Sequence, residues 1–212
     1  MTRSASRVLL ATRNDAKLAE LRRIVADLAG DDLEIVGLDE VAEFDEAPET
    51  GATFEENALA KASDAASATG LLAVADDSGL AVDALNGMPG VLSARWSGRE
   101  KSDDRNNRLL LDQLHEVPDE RRGAHFACAV AWVVPGGRER VVEGRMPGRV
   151  IREVRGSGGF GYDVLFVADE HTSPELTSAE LDASEKDRIS HRGRALRELA
   201  PLIAGDLAGS GD

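Results

Sequence analysis

The sequence contains little cysteine and no long apolar run. Its single cysteine, Cys128, cannot form a disulfide within the chain, which agrees with a reducing compartment. No segment approaches the roughly 18 consecutive apolar residues of a membrane-spanning helix. The first residues lead into a strand pattern without the apolar core of a signal peptide. We therefore expect a cytoplasmic protein with no membrane partner.

Basic residues are also in the minority, with 25 Lys and Arg against 39 Asp and Glu and a net charge of -14. Such a charge repels polyanions, so no broad nucleic-acid-binding surface is expected. A small phosphorylated ligand remains compatible, because local cations, backbone N–H groups and a divalent metal can neutralise it inside a pocket. The four histidines lack the spacing of ligand pairs and have no cysteine nearby, so no zinc site is predicted.

The most informative segment is the apolar run Leu71 to Ala75, which is followed directly by Asp76-Asp77-Ser78-Gly79. This pattern predicts a buried strand that ends at two carboxylates, at the sheet edge where open α/β sheets bind ligands. Side chains alternate along a strand, so the two acids should face opposite ways unless the strand has already turned. One would then bind a cation or water and the other would hold the loop. The alternative is an Asx turn with a hydroxyl cap.

A second candidate feature is the polar turn from Thr12 to Lys17. It joins a predicted strand, Arg7 to Ala11, to an amphipathic helix. The free N–H groups at the start of such a helix can bind phosphate. Lys17 in the first turn is unfavourable beside the positive end of the helix dipole, and an anionic ligand would explain it. The alternative is an Asn/Asp cap with a solvated lysine.

The last helix shows the same feature, because Ser190 is a natural cap and His191 and Arg192 follow in its first turn. Anion binding at both helix starts would account for these cations. Lysine or arginine side chains that point into water are the alternative. The P-loop pattern G-x-x-x-x-G-K-[ST] is absent.

A helix that begins near Thr53 supplies further candidates. Thr53 and Glu56 form a capping box that predicts an alanine-rich helix to about Gly70. Glu49 precedes the cap without a structural reason and is a candidate ligand, with a solvated loop acid as the alternative. Inside the helix Asn57 and Lys61 are one turn apart and share a face. This face is directed either toward a pocket or toward solvent.

The middle of the chain predicts a turn at Asn86-Gly87, a helix from Ser102 to His115 and a strand from Ala124 to Val134. A Pro-Gly-Gly turn leads from that strand back into Arg140 to Arg145. We interpret this hairpin as part of a second lobe.

The segment Gly156 to Gly161 matches the dinucleotide pattern G-x-G-x-x-G. That fingerprint must open a helix, whereas Tyr162 to Val167 is strand-like, so we reject a Rossmann site. Dense glycine still allows close backbone approach to a ligand, with Phe160 or Tyr162 free to stack on a flat ring. The alternative is a flexible connector with an aromatic side chain in the core.

Taken together, the motifs resemble the inosine triphosphate pyrophosphatase family, which hydrolyses deaminated purine nucleoside triphosphates. The first half of the chain contributes A-T-x-N-x-x-K at Ala11 to Lys17, E-T-G-x-T-F-x-E-N-A at Glu49 to Ala58 and A-D-D-S-G-L at Ala75 to Leu80. The rest contributes P-G-V-x-S-A-R at Pro89 to Arg95, G-G-F-G-Y-D at Gly158 to Asp163 and E-K-x-x-x-S-H-R at Glu185 to Arg192. Val164 stands where the family usually has proline, and Arg13 stands where glycine is frequent, so the resemblance does not imply the local turn shape there.

The resemblance implies a role for each matching residue. Thr12, Asn14 and Lys17, in the turn Thr12-Arg13-Asn14-Asp15-Ala16-Lys17, would bind the triphosphate. Glu49 and Asp77 would hold Mg²⁺, with Asp77 also accepting a proton, and Ser78 would contact the substrate. The base would lie against Phe160, Gly161, Tyr162 and Asp163, and Lys186, His191 and Arg192 would contact the purine 6-oxo edge or the phosphates.

The chemistry of the residues fits such a reaction. Asp76 or Asp77 could serve as the base, Lys17 and Lys61 could bind phosphate oxygens, and hard oxygen ligands favour Mg²⁺ or Mn²⁺ over zinc. The expected substrates are ITP, dITP, XTP and dXTP, cut to monophosphate and pyrophosphate before they enter DNA or RNA. Rival interpretations are a pyrophosphatase for modified pyrimidine nucleotides or dUTP and UTP, and a nucleotide sensor without turnover.

The resemblance also implies an elongated α/β fold, in which a long twisted mixed sheet with flanking helices forms two lobes around a central cleft, in a homodimer. We expect residues 1–204 to form this one domain and residues 205–212, rich in Gly, Ser and Asp, to be a disordered tail.

Overall fold

The computed structural model describes residues 6–29, 33–45, 48–171 and 174–209. Within them, six strands form a sheet in the order β2-β1-β3-β4-β5-β6. β1 runs parallel to β2 and to β3, whereas β5 and β6 are antiparallel, so the sheet is mixed. The predicted α/β class, a mixed sheet with flanking helices, is confirmed.

The strands are β1 (Ser6–Leu10), β2 (Leu33–Val36), β3 (Leu72–Val82), β4 (Gly123–Val133), β5 (Glu139–Val150) and β6 (Phe166–Ala168). The helices are α1 (Asp15–Ala29), α2 (Phe54–Thr69), α3 (Asp103–Gln113), α4 (Ala183–Ile189) and α5 (His191–Gly209).

The described chain divides into two compact units. Unit 1 comprises the described residues of Met1–Asp77, Cys128–Gly144 and Arg192–Asp212, and unit 2 comprises those of Ser78–Ala127 and Arg145–His191. The β4–β5 hairpin is therefore shared by both units, so the expectation that it belongs to a second lobe is only half right. Its turn end belongs to unit 1, because Cys128, Val130 and Trp132 are part of that unit's apolar core.

The core of unit 1 has two faces separated by the sheet. Along β3, Val74 belongs to one apolar cluster, while Ala73 and Ala75 belong to the other. The Val74 cluster receives side chains from α1 and α5, and the other receives four buried alanines of α2. This alternation is the two-residue period of a strand buried on both sides. The small side chains of α2 allow its backbone to approach the sheet closely.

The core of unit 2 is a separate cluster built around aromatic and long aliphatic side chains. Phe126 and Phe166 meet edge to face, with ring centroids 4.8 Å apart. Leu110 and Leu114, from α3 and the residue after it, are fully buried in the same cluster. Helix α3 therefore has an inward apolar face.

The prediction that the central strand ends at its two acids is wrong. β3 continues through Asp76, Asp77, Ser78 and Gly79 to Val82. The carboxylates do not break the strand because side chains from neighbouring helices pair with them, so both acids can stay in an extended, buried segment.

The predicted start and end of α2 are confirmed. Thr53 Oγ1 accepts a hydrogen bond from Glu56 N at 3.1 Å, and Gly70 ends the helix with φ of 68°. The Glu56 side chain accepts from Ala52 N, one residue before the cap.

Three other segments bear on the sequence interpretation. α4 is capped by Asp182, because Asp182 Oδ1 accepts from Glu185 N at 2.8 Å. α5 extends to Gly209, so residues 205–209 of the expected tail are helical, and residues 210–212 lie outside the described part. The Gly156 to Gly161 segment leads into a 3₁₀ turn, Asp163–Leu165, and then β6, which confirms the rejection of a Rossmann site.

The close pairing of β5 and β6 requires a glycine at position 148, because Gly148 lies opposite Ala168 and has no side chain. A Cβ atom at this position would lie 2.2 Å from Val167 O and 2.6 Å from Phe166 Cζ. We expect Gly148→Ala to destabilise the protein by about 1–3 kcal/mol in urea unfolding, because backbone must move to relieve the overlap. Glu139→Ala, at the exposed start of β5, is the control, and equal stability of the two variants would contradict this packing.

Candidate active site

The two acids of β3 face opposite sides of the sheet in unit 1, as the alternation predicts. Asp76 follows Val74 onto the side of α1 and α5, and Asp77 follows Ala75 onto the side of α2. Both are buried, with 3% and 8% of their surface exposed. Each is therefore surrounded by a different set of partners.

Asp76 is held by two cations. Its Oδ2 atom accepts from Lys17 Nζ at 3.0 Å and from Arg192 Nε and Nη2, both at 3.2 Å. Burial alone would raise the pKa of this carboxyl, but the charges of Lys17 and Arg192 outweigh it and hold the pKa well below its usual range. Asp76 is therefore ionised whenever the protein is folded near neutral pH.

Arg192 is itself buried, with 1% of its surface exposed. Its Nη1 atom donates to Glu20 Oε2 at 2.6 Å, so the guanidinium lies between two carboxylates. The charges of Asp76 and Glu20 raise its pKa in spite of burial. The sequence interpretation missed Glu20. The available signal was an acid three residues after Lys17, on the same side of α1.

These contacts bear on both explanations for the cations at the two helix starts, namely bound anions and solvated side chains. Lys17 has only 15% of its side chain exposed and contacts Asp76, so the alternative of a solvated lysine is wrong. The protein's own carboxylates lie beside Lys17 and Arg192, so their position does not by itself require a bound anion.

Asp77 contacts the face of α2 that Asn57 and Lys61 share. Its Oδ2 atom accepts from Asn57 Nδ2 at 2.9 Å, and its Oδ1 atom lies 3.4 Å from Lys61 Nζ. Asn57 and Lys61 therefore face the carboxylates rather than open water. Burial raises the pKa of Asp77, although Lys61, Lys17 and Asn57 partly oppose this effect.

Glu49 reaches the same lysine from the loop before α2. Its Oε1 atom lies 2.5 Å from Lys61 Nζ. Asn57 also holds this loop, because its Oδ1 atom accepts from Gly51 N at 2.8 Å. Burial would lower the pKa of Lys61, but Asp77, Glu49 and Asp76 together raise it, so the ammonium stays charged.

Glu49 and Asp77 both contact this one ammonium, at 2.5 Å and 3.4 Å from Lys61 Nζ. Mg²⁺ is held by one or two carboxylates together with waters and substrate phosphates, so two hard oxygen donors fit it. Within the described residues, no group of three or more His, Cys, Asp and Glu side chains could hold a metal. A metal here would therefore need oxygens from substrate or water.

The predicted phosphate-binding turn lies at the start of α1. Asn14 Oδ1 accepts from Lys17 N at 3.0 Å and Thr12 Oγ1 accepts from Asn14 N at 3.3 Å. Asn14 is thus the predicted cap, and the residues from Arg13 to Ala16 are exposed.

Ser78 is the one residue between Ala73 and Val82 in β3 that is half-buried rather than buried. It directly follows Asp77, so solvent reaches the strand next to this carboxylate.

The glycine-rich segment belongs to unit 2 and presents Phe160 and Lys186 together. Lys186 Nζ lies 5.2 Å from the centroid of the half-buried Phe160 ring and 2.6 Å from Asp163 Oδ2. Asp163 Oδ2 also accepts from Phe160 N at 2.9 Å. One buried carboxylate therefore fixes both an aromatic face and a cationic donor.

Tyr162 and His191 are buried in unit 2. Tyr162 is 3% exposed and its hydroxyl donates to Ser93 O at 2.8 Å. Burial raises the pKa of the phenol, with the charge of Asp103 adding to the effect, so the hydroxyl stays a donor. Of the two aromatic residues predicted to be free for stacking, Tyr162 is therefore in the core. The His191 ring is 6% exposed and stacks on Phe126 with centroids 5.0 Å apart.

The fold and this cluster define the class of protein: an α/β protein in which two buried strand carboxylates meet lysines from the flanking helices. Comparison with known proteins then gives the family. The sequence profile of the Ham1 family matches residues 8–202, and the chain belongs to this family.

Two of the similar proteins are named dITP/XTP pyrophosphatase, and a third is named a Ham1 protein. The dITP/XTP pyrophosphatase of Nocardia farcinica is 64% identical over 199 residues, which cover 94% of this chain and 95% of that protein. A crystal structure of the nucleoside-triphosphatase, or dITP/XTP pyrophosphatase, of Mycobacterium abscessus is 55% identical, with a TM-score of 0.74 over 93% of this chain and 99% of that one. The Ham1 protein of Staphylococcus aureus is 36% identical, with a TM-score of 0.81 over 95% and 100% of the two chains. The family resemblance found in the sequence motifs is thereby confirmed.

The unlike surroundings of the two acids predict opposite effects on stability. Asp76→Asn removes a buried charge between Lys17 and Arg192, and we expect a loss of about 3–5 kcal/mol of unfolding free energy. Asp77→Asn replaces a carboxyl whose pKa is raised by folding, so its stability at pH 7 should equal or exceed that of the wild type. Urea unfolding followed by circular dichroism measures both, and equal losses would contradict the assignment.

The pH dependence follows from the same difference. Because folding lowers the pKa of Asp76, its contribution to stability is present above the pKa of the unfolded chain and is lost as pH falls. The stability gap between wild type and Asp76→Asn should therefore narrow below about pH 5. Urea titrations between neutral and acidic pH test this, and a gap that does not change with pH would refute it.

Proposed function

We propose that this protein hydrolyses dITP, XTP and the related ITP and dXTP to the nucleoside monophosphate and pyrophosphate, removing them from the nucleotide pool. The names of its relatives support this activity. The observation that supports it most directly is the convergence of Asp77 and Glu49 on Lys61 Nζ, at 3.4 Å and 2.5 Å. Carboxylates and a lysine in one place supply metal ligands, a base and a phosphate-binding cation.

Glu49 and Asp77 would hold Mg²⁺, with Mn²⁺ as a substitute. When bound, the ion would supply charge neutralisation for the departing pyrophosphate. Lys61, which contacts both of these carboxylates, would bind a phosphate oxygen. Lys17, at the end of the exposed turn from Thr12, would bind the polyphosphate beside it.

Asp77 rather than Asp76 is the better base. Lys17 and Arg192 donate to Asp76 and lower its pKa, which makes it a weak proton acceptor, whereas Asp77 lies next to the half-buried Ser78. In this mechanism Asp77 takes a proton from the water that attacks the α-phosphorus. The bond between the α-phosphorus and the bridging oxygen breaks, and pyrophosphate leaves with that oxygen.

Asp76 and Arg192 act indirectly in this scheme. Arg192 is buried against Glu20 and Asp76. It would hold the Asp76 carboxylate in place, and Asp76 in turn would hold Lys17. Ser78, next to Asp77 and partly exposed, would contact the substrate.

The base would be selected by the Phe160 and Lys186 pair. An aromatic face accepts any purine, but a lysine ammonium only donates hydrogen bonds, so it favours a 6-oxo group over the 6-amino group of adenine. Gly161 and Asp163 would shape this site. Homodimer formation and a cytoplasmic location remain predictions; among the described residues, no helix is sufficiently long and apolar to cross a bilayer.

The activity is tested with ITP, XTP, dUTP, GTP and ATP in the presence and absence of Mg²⁺, with both products measured. We expect monophosphate and pyrophosphate from ITP and XTP, and a loss of kcat of at least about 10²-fold for Asp77→Asn, because the base is removed. Substrate affinity of Asp77→Asn should stay within a modest factor.

Two results would separate the rivals. If Asp77→Asn binds ITP as the wild type does and the wild type shows no turnover, the protein is a sensor. A preference for dUTP would indicate a pyrimidine nucleotide enzyme.

Glu49→Gln should raise the Mg²⁺ concentration needed for half-maximal rate, because a proposed metal ligand is lost. Glu55→Gln, a change at an exposed acid of α2, should not.

A further inference from the structure

Two side chains of α3 hold the backbone N–H and the backbone C=O of Gly161. Gly161 N donates to Asp103 Oδ2 at 2.6 Å, and Asn107 Nδ2 donates to Gly161 O at 2.8 Å. Asp103 and Asn107 are four residues apart, so they lie on one face of the helix. All three residues belong to unit 2. Neither α3 residue is part of the family motifs found in the sequence.

The fixed peptide lies directly after Phe160. Gly161 has φ of 63°, and the preceding Gly159 has φ of 70°, both in the left-handed region that glycine adopts easily. A segment with this much glycine loses considerable conformational entropy when it is ordered. Contacts from outside the segment are therefore needed to keep the Phe160 ring in one orientation.

The neighbouring contacts show that α3 organises more than one loop. Asn106 Nδ2 donates to Ser93 O at 3.3 Å and to Ala94 O at 3.1 Å, and Ser93 O also accepts from the Tyr162 hydroxyl. The helix thus joins the 3₁₀ segment Gly90–Arg95 to the glycine-rich segment. Its two buried amides, Asn106 and Asn107, face other loops of the protein rather than solvent.

We propose that Asp103 and Asn107 are positioning residues for purine selection, acting through the peptide of Gly161. They hold Phe160 beside Lys186, so that the ring and the ammonium meet a purine in a fixed geometry. Neither residue touches the base. Their loss loosens the segment, which weakens binding of the base and reduces the preference for a 6-oxo purine. This inference rests on the proposed function.

The chemistry of the two hydrogen bonds defines the diagnostic variants. Asp103→Asn keeps an acceptor oxygen for Gly161 N, whereas Asp103→Ala does not. Asn107→Asp places an acceptor against the Gly161 carbonyl, whereas Asn107→Ala leaves that carbonyl without the side chain's donor. Asp104→Ala is the matched control, because Asp104 is an exposed acid in the same first turn of α3.

The test measures KM and kcat for ITP and the ratio of kcat/KM for ITP to that for ATP. For Asp103→Ala and Asn107→Ala we expect KM to rise about tenfold and the ratio to fall about tenfold, since one hydrogen bond to the segment is lost in each. The kcat for ITP should change less than about twofold, because Asp77 and the lysines are untouched. Asp103→Asn should restore KM and selectivity, and Asp104→Ala should match the wild type.

Binding gives a second readout that does not depend on turnover. In the Asp77→Asn background, added Asp103→Ala should weaken ITP binding by the same factor, measured by calorimetry. Asp103 is exposed, so this variant is expected to fold.

Two outcomes would overturn the positioning role. One is unchanged KM and selectivity in both alanine variants. The other is an equal loss of kcat for every substrate, in step with a lower melting temperature. A wild-type protein that releases no pyrophosphate from ITP would instead refute the proposed function itself.

Discussion

The structure depends on a carboxylate buried in the middle of a sheet. Asp76 can occupy this position only because Lys17 and Arg192 donate to it, since an uncompensated buried charge would be too costly. Arg192 in turn needs Glu20. This network connects β3 to the first turns of α1 and α5, so it fixes Lys17 at the helix start where polyphosphate binding is proposed. It is a constraint on the fold of unit 1 as much as on its site.

The alternation of side chains along β3 gives Asp76 and Asp77 different roles. Adjacent residues of a strand face opposite sides, so Asp77 is turned away from the cations that surround Asp76 and toward α2. With fewer compensating charges its pKa rises, while that of Asp76 falls. Two neighbouring acids thereby become one structural anion and one candidate base and metal ligand, without any difference in their own chemistry.

The candidate site was largely accessible from sequence motifs. Glu49, Lys61, Asp77, Phe160 and Lys186 were all named from the residues or from the family resemblance. Glu20 and the α3 residues Asp103 and Asn107 were not, because their role depends on contacts with residues that are distant in the chain. The starts of α2 and α3 were predicted well, since capping depends on neighbours, whereas the length of β3 was misjudged because its acids are compensated from distant helices.

The sequence by itself determined the α/β class, the family, the capped start of α2 and the alternation that separates Asp76 from Asp77. These features depend on residue order within a few positions, or on motifs that appear intact along the chain. Only the tertiary structure decided that Arg192 is buried against Asp76 and Glu20, that Tyr162 is in the core while Phe160 is beside Lys186, and that α3 holds Gly161. Each of these depends on burial and on charge pairing between distant segments, which local sequence does not encode.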